Sequence, residues 1–172
     1  MKIIKIGIIG FGNIGRKRFN ALKKIKNINI SISFICDKKN LKFKNKNIKI
    51  FKNWGEATQL DVDLLFICTP TTVTEKIIGK VAGKYHLMVE KPISKNLVLT
   101  EKVTKLSIKK KKILKTGYNL KYDEGLRFVK EIIDKKKLGK IFHCKITYAN
   151  GTALTNTNKV GSLYDMASHS IN

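Results

Sequence analysis

A glycine-rich stretch near the N-terminus contains the first residues whose spacing indicates chemistry. Residues 10–15 have the sequence Gly-Phe-Gly-Asn-Ile-Gly, follow an apolar run over residues 3–9 and precede apolar residues at helical spacing. In such a strand-turn-helix unit, Gly10 permits a tight turn, Gly12 lets the backbone approach a pyrophosphate and Gly15 lets the helix pack on the strand. The phosphates would meet N–H groups at the helix N-terminus. We therefore predict a dinucleotide-binding turn, the alternative being a glycine-rich turn that binds nothing.

A single acid follows the second apolar run of the sequence. Asp37 comes directly after residues 28–36 and lies 22 positions beyond Gly15. A carboxylate at this point accepts hydrogen bonds from both ribose hydroxyls and repels a 2′-phosphate, which favours NAD over NADP. Lys38 and Lys39 leave NADP open, because two cations beside the acid can bind a phosphate; otherwise they belong to a solvated loop.

Two short motifs end the next long apolar runs. Thr69-Pro70 follows residues 62–68, and Glu90-Lys91-Pro92 follows residues 86–89. An ammonium at Lys91, held by a proline-stiffened turn, can bind a substrate oxygen and stabilise negative charge that develops there. The alternative is that Lys91 is one of many ordinary surface lysines.

An acid and an imidazole lie four positions apart near the end of the sequence. If the segment is helical, Asp165 and His169 project from one face. A neutral imidazole is suited to accept a hydroxyl proton near pH 7, and the carboxylate can orient that imidazole or bind the substrate. The alternative is a helix cap at Asp165 and a hydrogen-bonded polar residue at His169.

Alternating strands and helices are needed to position these residues. The predicted strands cover residues 3–9, 28–35, 47–51, 62–68, 86–89 and 113–119, and the predicted helices cover 16–22, 72–82, 97–108 and 125–134, with a helix or turn at 54–57. This alternation predicts an α/β fold, a Rossmann-type doubly wound parallel sheet. A further strand is predicted over residues 140–148.

The composition limits the classes of partner. The 172 residues suffice for one full domain and part of another, and the net charge of +24 would ordinarily suggest nucleic acid or an anionic surface. Only three of the 36 cationic residues are arginines, however. Lys, Ile and Asn share A/T-rich codons, so a bias in the genome explains the many lysines at least as well as an anionic partner does. The Arg contacts and interleaved aromatics of specific readers are missing, so we expect no specific nucleic-acid partner. A basic protein that associates non-specifically with nucleic acid is the weaker alternative.

The cysteines and the N-terminus bear on location. Cys36, Cys68 and Cys144 are odd in number, widely spaced and embedded in strand-like runs, which suggests neither disulfides nor a metal site. We expect buried thiols in a reducing, cytoplasmic compartment. We see neither an export signal nor a membrane span.

Taken together, these motifs resemble the Gfo/Idh/MocA family, the glucose-fructose oxidoreductase and inositol dehydrogenase family. The resemblance spans essentially the whole chain. Residues 117–122, Gly-Tyr-Asn-Leu-Lys-Tyr, also look like the family's Gly-Tyr-Asn-x-Arg-Phe segment, with Lys121 where Arg is usual. The chain departs from the family at Thr74, where a histidine is frequent, and at Asn172, where Asp is common.

The resemblance implies an NAD(P)-dependent oxidoreductase that transfers a hydride between a nicotinamide cofactor and a hydroxyl or carbonyl group of a sugar, cyclitol or sugar nucleotide. The implied catalytic residues are Lys91, Asp165 and His169. The implied cofactor-binding residues are Gly10, Phe11, Gly12, Asn13, Ile14, Gly15, Asp37, Thr69, Pro70, Glu90 and Lys91. A non-catalytic dinucleotide-binding sensor or regulatory domain is the alternative.

The resemblance also implies a domain organisation. Residues 1–120 would form the NAD(P)-binding Rossmann domain, and residues 121–172 the start of an incomplete α+β domain for substrate binding and oligomerisation. Because family members are much longer, we expect the chain to be a fragment, the alternative being a truncated protein. The full-length parent is expected to act on a small-molecule polyol or sugar as a homo-oligomer, without a membrane partner.

Overall fold

Six parallel strands form one sheet in the computed structural model, which describes residues 2–41, 43 and 45–147. The strands are β1 (Ile4–Ile9), β2 (Ile30–Cys36), β3 (Lys49–Phe51), β4 (Leu64–Ile67), β5 (His86–Val89) and β6 (Leu114–Thr116). Their order is β3-β2-β1-β4-β5-β6, with every neighbouring pair parallel. The order reverses between β1 and β4, as in a doubly wound dinucleotide-binding sheet. The predicted fold class is confirmed.

Helices connect most of the neighbouring strands in the sequence, the exception being β2 and β3, which a loop joins. They are α1 (Asn13–Lys24), α2 (Trp54–Ala57), α3 (Thr71–Val81), α4 (Leu97–Lys109) and α5 (Glu124–Asp134). Polar N-caps fix where three of them begin: Asn53, Asn96 and Asp123 accept hydrogen bonds from the N–H groups of Gly55, Leu99 and Leu126. Because all six strands are parallel, their carboxyl ends meet at one edge of the sheet.

The core has two layers because helices cover both faces of the sheet, which explains the near-continuous apolar strands. On one face Ile6 and Ile8 of β1 share a buried cluster with Phe19 of α1. On the other face Leu65 and Leu87 share a buried cluster with residues of α3.

The chain divides into two compact units, Met1–Gly117 and a second that begins at Tyr118. In the described part of the second unit, a 3₁₀ turn over Leu120–Tyr122 precedes α5. The predicted strand over 140–148 is wrong for residues 140–147, and residue 148 lies outside the described residues. A strand requires a hydrogen-bonded neighbour, and no strand of the described residues pairs with this segment. Its side chains are exposed, including Phe142 and Cys144.

Within the described residues, no helix has both the length and the apolar character needed to cross a membrane.

Candidate functional site

The turn between β1 and α1 has the features predicted from its glycines. Gly10 has φ +87°, and its N–H donates to the carbonyl oxygen of Cys36 at 2.8 Å. A Cβ at Gly10 would lie 2.6 Å from the carbonyl oxygen of Cys68, and a Cβ at Gly15 would overlap the carbonyl oxygen of Gly10. Gly12 differs, because a Cβ there would meet no described protein atom within 4 Å. The backbone at Gly12 therefore faces open space, into which a phosphate group fits and a larger side chain would protrude.

The N-terminus of α1 is open to an anion. The helix begins at Asn13 with Gly12 as N-cap, no side chain caps it, and its first turn contains no acid. Asn13 and Ile14 are exposed. N–H groups and the positive end of the helix dipole favour a negatively charged group at this position. These features fit the pyrophosphate of a dinucleotide.

Asp37 connects the end of β2 to the glycine turn. Its Oδ2 accepts a hydrogen bond from the N–H of Phe11 at 2.6 Å, and its Oδ1 accepts one from the N–H of Lys39 at 2.9 Å. The ring of Phe11 is buried and packs edge-to-face against Phe19, with centroids 5.6 Å apart. Phe11 therefore presents its backbone, and not its side chain, to the turn. Each carboxylate oxygen retains a lone pair that can accept from a hydroxyl group.

Thr69 and Pro70 follow β4, on the other side of the point where the strand order reverses. The Thr74 hydroxyl donates to the carbonyl oxygen of Thr69 at 3.0 Å, and the two threonine hydroxyl oxygens are 2.8 Å apart. Either hydroxyl can be the donor between these two oxygens. In both cases the hydroxyl oxygen of Thr69 keeps at least one lone pair for a ligand. Pro70 is the N-cap residue of α3.

Glu90 and Lys91 follow β5, and the Glu90 carboxylate is paired with a residue that the sequence motifs did not single out. Arg18 of α1 donates from Nε to Oε1 of Glu90 at 2.7 Å, and its Nη2 lies 2.6 Å from the same oxygen. Both side chains are largely buried, with 28% of Arg18 and 16% of Glu90 exposed. The signal in the sequence that could have indicated Arg18 is the rarity of arginine in this lysine-rich chain. The Lys91–Pro92 peptide bond is cis.

The segment after Pro92 is held by a second acid that sequence reasoning missed. Oε1 of Glu75, on α3, accepts hydrogen bonds from the Ser94 hydroxyl at 2.7 Å and from the N–H of Lys95 at 2.8 Å. These bonds, that of Ser94 foremost, hold the pKa of Glu75 below its ordinary value. Residues 90–95 are thus fixed from α1 through Arg18 and from α3 through Glu75.

Two cysteines lie under the turn. Burial raises the pKa of Cys36 to about 11 and that of Cys68 to about 12. Both thiols therefore stay protonated at neutral pH and are unsuited to act as nucleophiles. Of the three cysteines expected to be buried, Cys36 is buried and Cys68 is partly buried. The expectation was wrong for Cys144, which is exposed because the segment around it forms no strand.

The remaining predicted site residues, Asp165 and His169, lie outside the described residues, and their roles stay predictions. Among the residues that the structure describes, no cluster of three or more His, Cys, Asp or Glu side chains has an arrangement that could hold a metal ion.

The parallel sheet, the glycine turn and the acid after β2 define a dinucleotide-binding Rossmann domain. The family model that describes an oxidoreductase family with an NAD-binding Rossmann fold matches residues 4–118. The chain belongs to this family, the Gfo/Idh/MocA oxidoreductases. The Rossmann fold of the family binds NAD as its cofactor.

Individual relatives agree with this assignment. Myo-inositol 2-dehydrogenase of Thermotoga maritima is 30% identical over 150 residues, which are 84% of this chain and 45% of that protein. Glucose-6-phosphate 3-dehydrogenase of Bacillus subtilis is 27% identical over 97% of this chain and 51% of that protein. The chain thus spans about half the length of these relatives.

Solved structures show the same fold. The crystal structure of scyllo-inositol dehydrogenase from Lactobacillus casei, with bound NAD(H) and scyllo-inositol, matches with a TM-score of 0.81. The match covers 99% of this chain and 54% of that chain at 23% identity.

Proposed function

We propose that this chain forms the cofactor-binding part of an NAD-dependent oxidoreductase that acts on a hydroxyl or carbonyl group of a sugar, cyclitol or sugar nucleotide. The observation that supports this most directly is the shared edge of the sheet. The open backbone at Gly12, the carboxylate of Asp37 and the turn containing Lys91 all follow carboxyl ends of parallel strands. Relatives named as inositol and glucose-6-phosphate dehydrogenases support the substrate class.

The residues on the β1 and β2 side would hold the adenosine half of the cofactor. The α1 N-terminus and the backbone at Gly12 would bind the pyrophosphate. Asp37 would accept hydrogen bonds from the ribose and disfavour a 2′-phosphate, which gives a preference for NAD. Lys38 and Lys39 are exposed beside it and are the residues that would bind the phosphate if NADP were used.

On the β4 and β5 side, the side chains would position the reacting groups. Thr69 would accept a hydrogen bond from the cofactor through a lone pair that its bond to Thr74 leaves free. Lys91 would bind the substrate oxygen and stabilise negative charge on it. When bound, the nicotinamide ring supplies the group that accepts or gives the hydride.

The proton of the substrate hydroxyl would pass to His169, with Asp165 orienting that imidazole or binding the substrate. This assignment rests on the spacing of the two residues and on the resemblance to the family. A base is required because alcohol oxidation releases a proton together with the hydride.

The test is a screen of the complete protein against cyclitols, sugars and nucleotide sugars, following NADH absorbance. We expect turnover with at least one polyol and NAD. Binding of NAD(H) without turnover on any substrate of these classes would instead favour the second candidate, a non-catalytic dinucleotide-binding sensor. That candidate is supported by the same open glycine turn, which binds a nucleotide whether or not chemistry follows.

A further inference from the structure

The pair formed by Arg18 and Glu90 stands out because it joins two parts of the cofactor site that are 72 positions apart. Arg18 lies on α1, whose N-terminus faces the phosphate position, and Glu90 directly follows β5. In this topology the two halves of a dinucleotide lie over the two halves of the sheet. Asp37 marks the adenosine half, so the ends of β4 and β5 serve the nicotinamide half.

The surroundings of the pair limit its contact with water. A Cβ at Gly117 would lie 2.8 Å from Oε2 of Glu90 and 3.1 Å from Nη2 of Arg18, so the backbone of Gly117 packs directly against both groups. The N–H of Gly117 donates to the carbonyl oxygen of Val89 at 2.7 Å, which fixes that backbone in place. Charges in a partly buried position are screened less than exposed ones.

The two charges of the pair act in opposite directions on a neighbouring group at the same edge. Burial is the main reason that the pKa of Cys68 is raised, but Glu90 adds to the increase and Arg18 opposes it. Cys68 directly precedes Thr69, a predicted cofactor contact. The field of each partner therefore reaches the end of β4, with opposite sign.

We propose that the balance between Arg18 and Glu90 sets the affinity of this domain for NAD⁺ relative to NADH. The two forms of the cofactor differ by one positive charge, which the oxidised nicotinamide ring carries and the reduced ring lacks. An unbalanced carboxylate at the edge of β5 favours the oxidised form, and an unbalanced guanidinium favours the reduced form. The inference rests on the proposed function, because it requires NAD at this edge. It makes Arg18 a positioning residue and not a catalytic one.

The test compares dissociation constants of NAD⁺ and NADH for the full chain, with NADH measured by fluorescence and NAD⁺ by competition. Arg18→Met leaves Glu90 unbalanced and should shift the preference toward NAD⁺ by about three- to tenfold. Glu90→Gln leaves Arg18 unbalanced and should shift it toward NADH by a similar factor. A tenfold shift corresponds to about 30 mV in the reduction potential of the bound cofactor.

Three further variants separate charge from structure. The double variant Arg18→Met/Glu90→Gln removes both charges and should return the preference to near that of the unaltered protein. Arg18→Lys keeps the positive charge, so the preference for NAD⁺ relative to NADH should stay that of the unaltered protein. Lys24→Met removes a cation from the exposed far end of α1 and is the matched control for net charge.

Opposite shifts from the two single variants, cancelled in the double variant, would support the inference. Single variants that weaken both forms equally, or that shift the preference in the same direction, would overturn it and leave the pair a structural tie. If the unaltered protein bound neither NAD⁺ nor NADH, the proposed function itself would be wrong, and this inference with it.

Discussion

The two sides of the nucleotide edge are built in different ways. On the β1 and β2 side, backbone N–H groups make the connections, with Gly10 donating to Cys36 and Phe11 donating to Asp37. On the β4 and β5 side, charged side chains from separate helices make them, through Arg18 and Glu75. The first side depends on glycines and one acid, whereas the second depends on pairs that must meet across the fold. Substitutions that alter the backbone of the glycine turn should therefore remove phosphate recognition. Substitutions that remove charge at Arg18 or Glu75 should instead disturb the placement of Lys91.

The largest effect is expected from the backbone side. Gly12→Val should weaken NAD(H) binding by about a hundredfold or more, because the side chain occupies the place where the backbone approaches the pyrophosphate. Thermal stability should change little, since a Cβ at Gly12 meets no described protein atom within 4 Å. Fluorescence titration and thermal unfolding measure the two quantities.

Gly15→Val is the matched comparison for Gly12→Val. Its Cβ would overlap the carbonyl oxygen of Gly10, so this variant should lose stability as well as binding. Normal NADH binding by Gly12→Val would contradict the role given to the turn.

A change at the proposed base should separate chemistry from binding. In the complete protein, His169→Ala should lower kcat by about a hundredfold or more, because general-base catalysis is worth about 10²–10⁴-fold. The affinity for NAD should stay nearly unchanged. His143→Ala, at an exposed histidine, is the control. Full turnover by His169→Ala on the best substrate would show that the base is another group.

A smaller effect is expected at the acid of the backbone side. Asp37→Ala should reduce the preference for NAD over NADP by about tenfold, because it removes both the ribose acceptor and the repulsion of a 2′-phosphate. Calorimetric titration with both cofactors measures the preference, and Asp61→Ala, an exposed acid, is the control. Equal or tighter NADP binding by the unaltered protein would instead assign Lys38 and Lys39 as phosphate ligands.

The smallest effect is expected at Glu75, because solvent screens this partly exposed group. The pKa of Glu75 is lowered in the folded protein, so its contribution to stability is present above the unfolded value and is lost as pH falls through the folded value. Glu75→Gln should therefore reduce stability at pH 7 by less than about 1 kcal/mol. The difference from the unaltered protein should disappear in acid.

Thermal unfolding at pH 7 and at about pH 3 tests the Glu75 prediction, with Glu101→Gln as an exposed control on α4. A difference that persisted or grew in acid would exclude a contribution from the ionised carboxylate.

The contrast between the two sides also explains what could be predicted from the sequence. The glycine turn and Asp37 could be predicted because each depends on spacing along a short stretch of chain. The pairing of Arg18 with Glu90 was missed, because it exists only once the strand order brings α1 beside the end of β5.

Helix and strand predictions differed for a related reason. The helix predicted over 125–134 agrees with α5 because helical hydrogen bonds join near neighbours along the chain. The strand predicted at 140–148 depended on a partner strand, and an apolar pattern by itself does not supply one.

The rate at which reagents modify Cys36 and Cys68 can report how often the sheet opens. Burial raises the pKa of Cys36 to about 11 and that of Cys68 to about 12, so at pH 7 both side chains are thiols rather than the reactive thiolates. Alkylating reagents and peroxides should therefore label the exposed Cys144 first, the partly buried Cys68 more slowly, and the buried Cys36 only when the sheet separates. A cofactor bound at the turn would stabilise the folded sheet and slow the labelling of Cys36, so the labelling rate would report ligand occupancy without any turnover.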